Sequence, residues 1–366
     1  MMDSQKHLPM REALRKKLEG SISWREYGQL TASASVSNHD GHLDDHSNII
    51  HLGSRAHEQW SVQKLVSAVV SSETSVEEAV SAGLERRQVM CWHYEYWRAV
   101  PDSRKTANRV LCFFYHHAFD GIDDPQVIAG VCMNAAVANI LRKRRPDKPI
   151  YLVDVGGSED AIPYARRRHW FPGTRLLICG NAHARLRMNH GQGSLTNRSR
   201  KGTELVVPLA TCLDPRCYGW LFLGVGWDSY VEELERLGFV VIHPGPLESP
   251  NHYEYFGEGD IYLMLSQLEG GPLTLLEAMG VGIWPICTST GIAVDILSHV
   301  PYGNLVGVYT GSNAANVVAN VAQCIHSVDR DARQRSKPQI QASVADRTWA
   351  RFGSQMRGIL ECTFGK

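Results

Sequence analysis

From residue 49 to the C-terminus, hydrophobic positions fall into short apolar runs separated by stretches of helical spacing. The runs at 49–52, 89–92, 110–115, 149–155 and around 176–178 have the length and composition of strands buried on both faces. Helical spacing follows through 66–79 and again over 126–145. Within the latter, the apolar stretch 127–141 reads as a buried helix, too short for a bilayer, which needs about 20 residues. After a polar, Gly- and Arg-rich segment at 189–202 the alternation restarts. Helices are expected at 204–210, 228–237, 252–255, 273–279, 294–299, 313–327 and 349–362, with strands at 220–224, 239–242, 261–265 and 283–287. Strands alternating with helices predict parallel sheets with helices on both faces.

At 366 residues and 43% hydrophobic positions the chain is too long for one ordinary core and suits two α/β domains with a cleft between them. The expected division is an N-terminal extension at 1–45, a first Rossmann-like domain at 46–190, a second at 191–340 and a C-terminal helix at 341–366. The extension holds an amphipathic stretch at 10–18, then a Ser-, Asn-, Asp- and His-rich segment with little to bury. Its charged start lacks the apolar segment of a signal peptide, which points to a cytoplasmic protein.

Charge refines this only locally. The chain carries 38 basic and 38 acidic residues, so no global field announces nucleic acid as a partner. Residues 101–204, however, hold 17 Lys and Arg against 9 Asp and Glu. The basic runs at 142–145 and 166–170 suit either solvated helix ends or peripheral contact with an anionic membrane. The nine cysteines are scattered, and Cys212 and Cys217 lack a second pair at zinc-site spacing, so no metal site is expected.

The informative chemistry lies at 259–280, where a strand ends, Gly270, Gly271 and Pro272 make a turn, and a helix begins at Leu273 and Thr274. Glycines let backbone approach a ligand, and the free N–H groups of the helix start favour a diphosphate. Glu269 and Glu277 lie eight positions apart, about 12 Å along a fully helical segment. Carboxylates do not bind a diphosphate but bind hydroxyl groups well, which suggests Glu269 for a sugar and Glu277 for a ribose. A departing nucleoside diphosphate needs cations, which Arg198, Arg200 and Lys201 supply.

The string EGGPLTLLEAMG at 269–280 resembles, nearly letter for letter, the E-x7-E motif of the retaining, metal-independent group 1 glycosyltransferases, which have the two-Rossmann-domain GT-B fold. The resemblance implies a nucleoside-diphosphate sugar as donor co-substrate and no further cofactor. It implies phosphate contacts from Arg198 and Lys201, with Arg200 a rival for Arg198, and a last helix, beginning near Arg347, that crosses back to the first domain. Many members carry a histidine after a first-domain strand near the reacting sugar carbon. Here Asp154 stands at the corresponding strand end, while His116 and His117 follow the preceding strand, so Asp154 and His117 are the expected polar groups. By analogy the acceptor is a glycan or lipid-linked glycan, with a modified nucleic-acid base a minor alternative. An epimerase, a phosphorylase or a non-catalytic nucleotide-sugar-binding partner are the competing readings.

Overall fold

The computed structural model describes residues 49–53, 60–70, 76–82, 84, 87–105, 109–166, 170–182, 200–245, 247 and 251–365. The expected extension, its helix at 10–18, Arg198 and residues 167–169 of the second basic run lie outside these.

The first sheet contains β1 (Ile49–Leu52), β2 (Gln88–Cys91), β3 (Arg109–Phe114), β4 (Val127–Cys132) and β5 (Ile150–Leu152), parallel and in chain order. Between them run α1 (Trp60–Ser67), α2 (Val76–Ala82), α3 (Tyr94–Ala99) and α4 (Ala135–Arg144). Alternating side chains split into two cores. Val89, Cys91, Cys112 and Phe114 pack with residues of α2, α3 and α4. On the other face, Met90, Trp92, Leu111 and Phe113 share a core with Leu65 and Val66 of α1 and with Met356 and Leu360 of the C-terminal helix.

The stretch 127–141 is not one helix. Its first six residues form β4, in register between β3 and β5, and Asn134 ends the strand by capping α4, its Oδ1 accepting from Val137 N at 2.9 Å. Periodicity misread it because a strand buried on both faces and a buried helix are both continuously apolar.

The second sheet holds β6 (Thr174–Cys179), β7 (Tyr218–Leu223), β8 (Val241–Ile242), β9 (Ile261–Met264), β10 (Trp284–Thr288) and β11 (Asn304–Val306), in the order β11-β10-β9-β6-β7-β8. Its intervening helices are α5 (Val206–Ala210), α6 (Asp228–Arg236), α7 (Leu273–Gly280) and α8 (Ile292–Leu297). Here the division expected at residue 190 needs correction. The strand near residue 176, assigned above to the first domain, lies at the centre of the second sheet, with Leu176 paired to both Trp220 and Ile261. The crossing between sheets therefore falls between β5 and β6, at 153–173. The polar segment at 189–202, of which 189–199 lie outside the described residues, falls in chain order between β6 and β7, two strands of the same sheet.

Three helices close the chain: α9 (Ala314–Ser327), α10 (Arg330–Ala342) and α11 (Trp349–Phe364). The sequence reading did not include α10, which is mostly polar and carries Pro338 inside it. The expected return of the last helix is present. Gln88 donates to Phe364 O at 3.1 Å and Arg109 to Thr363 O at 2.8 Å, while Gly353 passes so close to Ala68 O that a Cβ would lie 2.5 Å from it. Thus α11 covers a face of the first sheet and ties the two lobes together.

Candidate functional site

In the second sheet, β6 is followed through the chain by β7 on one side and neighbours β9 on the other, so the strand order reverses between β6 and β9. Ligands in such sheets bind beyond the carboxyl ends of strands at this point. Gly180 follows β6, and the segment Leu265–Pro272 follows β9. Gly180 is anchored from below: its carbonyl accepts the Trp227 indole N–H at 2.9 Å, and Trp227 stacks on Phe222 with centroids 4.6 Å apart. The Lys201 stem lies over Gly180, where a Cβ would stand 3.2 Å from Lys201 Cε. Next to it, Gly202 has φ +65°, and a Cβ there would meet Leu265 O at 2.1 Å. Two glycines thus bring the lysine against the end of β9.

The result is a buried ion pair. Lys201 Nζ donates to Glu269 Oε1 at 2.6 Å, and Arg200 Nη1 lies 3.1 Å from Oε2 while donating to Leu268 O at 2.9 Å. Burial alone would raise the Glu269 pKa, but Lys201, Arg200 and a hydrogen bond with Ser266 outweigh it and hold it at about 2. The two cations thus favour Glu269 as a carboxylate, a hydrogen-bond acceptor. Of the two basic residues beside Lys201 in the sequence, Arg200 is the one the described structure places here.

The turn after Glu269 is enclosed by the first domain. Gly270 O accepts from Ile292 N at 3.1 Å and from Asn134 Nδ2 at 3.0 Å. A Cβ at Gly270 would lie 3.0 Å from Tyr115 O, and one at Gly271 1.9 Å from Met133 Sδ. Pro272 is the N-cap of α7 and no side chain caps this end, so the first N–H groups, from Leu273 onward, have no side-chain partner at the cap. Thr274, expected among the donor-binding residues of this turn and helix start, has its hydroxyl 2.8 Å from Tyr262 Oη.

Glu277 is wholly buried, and its surroundings were invisible in the sequence. Its Oε1 accepts from Lys64 Nζ at 3.0 Å and from Tyr253 Oη at 3.2 Å. Lys64 also reaches Asp160 Oδ2 at 2.5 Å and contacts the Tyr253 hydroxyl, and Trp349 Nε1 donates to Asp160 Oδ1 at 2.9 Å. Burial raises the Glu277 pKa against the pull of Lys64. Lys64, Asp160 and Tyr253 come from three separate parts of the chain, and no spacing in the sequence relates them.

In the first domain the two expected polar groups, Asp154 and His117, sit in different surroundings. Asp154 is held by the C-terminal segment: Arg347 Nη1 lies 3.3 Å from Oδ1, and Arg351 Nη2 donates to Oδ2 at 2.9 Å. The structure does not bring it to Lys201 and Glu269 as a hydrogen-bond partner, because the crossing segment that carries it turns toward α11. His117 packs between His93 and His116, each 4.6 Å away by ring centroid. His116 is the histidine under the influence of Arg200 and Glu269; burial first, then Arg200, lowers its pKa to about 3. His93, which the sequence reading did not single out, is lowered to about 3 by burial and His117 and caps α3 by accepting from Glu95 N at 3.2 Å.

Among the described residues, no group of three His, Cys, Asp or Glu is arranged to hold a metal ion, and no helix is long and apolar enough to cross a membrane.

Comparison with known proteins adds a family signal to this geometry. Residues 226–339, which include Glu269 and Glu277, match the family profile of glycosyl transferases group 1. The sulfoquinovosyl transferase of Arabidopsis thaliana is 26% identical over 112 residues, 30% of this chain and 22% of the plant protein's length. Among solved structures, Anabaena HepE in complex with UDP and glucose aligns with a TM-score of 0.61 at 13% identity, over 86% of this chain and 99% of its own. A glycosyltransferase from Rickettsia africae aligns at 0.56 and 13% identity, over 85% and 83%. A GtfA/B complex aligns at 0.56 and 15%, over 78% of this chain but 58% of its own. Two parallel-sheet α/β domains together with these structural neighbours make this a GT-B fold, and the stretch that matches the group 1 profile lies in its second domain.

Proposed function

We propose that the protein transfers a sugar from a nucleoside-diphosphate sugar to an acceptor hydroxyl, with retention of anomeric configuration and without a metal ion. The observation that carries this reading is the Lys201–Glu269 pair at the strand-order reversal, beside a Gly-Gly-Pro turn and an α7 start with no side-chain cap. Lys201 and Arg200 supply the positive charge that a departing diphosphate needs, and the N–H groups of α7 add to it. Glu269 holds the sugar hydroxyls and Glu277 the ribose, through Oε2, which makes no hydrogen bond with the described residues. The acceptor hydroxyl attacks from the face the diphosphate leaves, and the departing phosphate oxygen takes its proton. UDP and glucose in the Anabaena neighbour support a nucleotide-sugar donor, and the family match supports glycosyl transfer; a glycan or lipid-linked glycan is the acceptor we propose.

Peripheral membrane contact through 142–145 has less support than the donor site. Arg142 donates to Ile150 O at 3.0 Å, Arg144 pairs with Asp123 at 2.6 Å and Arg145 with Asp147 at 2.6 Å, so much of that charge is met within the protein.

A panel of nucleotide-sugars scored for slow hydrolysis tests the reading. One donor should be turned over with EDTA present, and NMR of the product should show the donor's anomeric configuration. Silence across the panel would sink the enzyme reading, and dependence on inorganic phosphate would turn it into a phosphorylase.

A further inference from the structure

A buried polar cluster around Glu277 joins five parts of the chain. Lys64 comes from α1 of the first domain, Asp160 from the crossing segment, Tyr253 from the turn before β9, Glu277 from α7 and Trp349 from the start of α11. Two carboxylates, Asp160 and Glu277, share one lysine. The Lys64 Nζ also lies 4.9 Å from the centroid of the Tyr253 ring, and a single phenol proton serves Asp160 at 3.0 Å or Glu277 at 3.2 Å. The Glu277 side chain has no exposure at all, whereas that of Lys64 has 17%. A buried carboxylate of this kind costs several kcal/mol unless paired, so its charge and orientation depend on the cation that reaches it. That cation belongs to the other domain.

We propose that Lys64 is a positioning residue for nucleotide binding: from the first domain it fixes Oε1 of Glu277, leaving Oε2 to accept from the ribose hydroxyls, so that ribose recognition requires the two domains to be together. The inference rests on the nucleotide-sugar reading above. The far end of α7 packs against the same crossing segment, where a Cβ at Gly280 would stand 1.8 Å from Ser158 O. The segment that holds Asp160 and the helix that holds Glu277 are thus pressed together, and Lys64 is the charge that spans them.

Calorimetric titration of UDP, ADP and GDP, each beside its 2′,3′-dideoxy counterpart, into wild type, Lys64→Gln and Lys64→Arg tests this. Wild type should favour the ribose form of its nucleotide by about tenfold or more, the effect of one charge-assisted hydrogen bond. Lys64→Gln should lose most of that preference while binding the dideoxy form nearly as wild type does, and Lys64→Arg should restore it. Equal weakening of both forms, or an unchanged preference, overturns the inference and leaves the nucleotide-sugar reading standing. Failure of wild type to bind any nucleoside diphosphate overturns that reading and this inference with it. Should Lys64→Gln not fold, Tyr253→Phe removes the other donor to Oε1 at little cost in packing, and a narrowed preference supports the inference where an unchanged one overturns it.

Discussion

Lys201 Nζ lies 2.6 Å from Glu269 Oε1, at the point where the second sheet reverses its strand order. The lysine pairs with a buried carboxylate, and Arg200 lies 3.1 Å from the other carboxylate oxygen; on the proposed reading the lysine also meets the phosphate charge that grows during transfer, while Arg200 keeps Glu269 paired. Lys201→Ala should lower kcat by about 10²–10³, the usual loss for one preorganised donor to developing charge, with a smaller change in KM. Steady-state kinetics with unchanged turnover would refute the role.

The path of Lys201 depends on Gly202, whose φ of +65° and 2.1 Å Cβ approach to Leu265 O exclude a side chain. Gly202→Ala should cost roughly 1–3 kcal/mol for the backbone conformation alone, with the clash in addition, and should depress activity by displacing Lys201. Thermal unfolding and kcat, measured together, check this; a variant as stable and active as wild type contradicts the geometry.

Asp154 is bound to Arg347 and Arg351 on the C-terminal segment, and its side chain is 31% exposed. Asp154→Asn should therefore lose about 1 kcal/mol or less of stability and leave the chemical step within a few-fold of wild type. A loss of several hundred-fold in kcat would restore the catalytic role suggested by its place after the strand. His116, nearer in influence to Arg200 and Glu269, should prove more sensitive than His117 when each is changed to Ala.

Acid should destabilise the protein in two stages. His93 and His116, with pKa values near 3 in the fold against an ordinary 6.5, bind protons more readily in the unfolded chain, so stability falls as pH drops from about 6.5 toward 3. Glu269, at about 2 against an ordinary 4.5, adds stability that is present above about 4.5 and lost as pH falls toward 2. Urea unfolding at pH 7.5, 5.5 and 4.5 should show the first stage. It should be smaller in a His93→Gln, His116→Gln double variant; equal acid sensitivity would disprove the assignment.

The local pieces of the candidate donor site can be read directly along the chain. The E-x7-E string, the Gly-Gly-Pro turn and the basic residues before Gly202 are legible because each is local: a turn, a helix start and a spacing along one segment. The sequence by itself also determined the α/β class, since strand and helix periods are local properties of the chain. Only the tertiary structure decided which sheet β6 joins, because a buried parallel strand carries no mark of its neighbours, and that choice creates the strand-order reversal beneath Lys201 and Glu269. It likewise decided that 127–132 is a strand, that Asp154 faces two arginines, and that Lys64, Asp160 and Tyr253 surround Glu277. Contacts such as that of Lys64 with Glu277, 213 positions apart, are set by how the two domains meet, and that depends on the packing of whole faces.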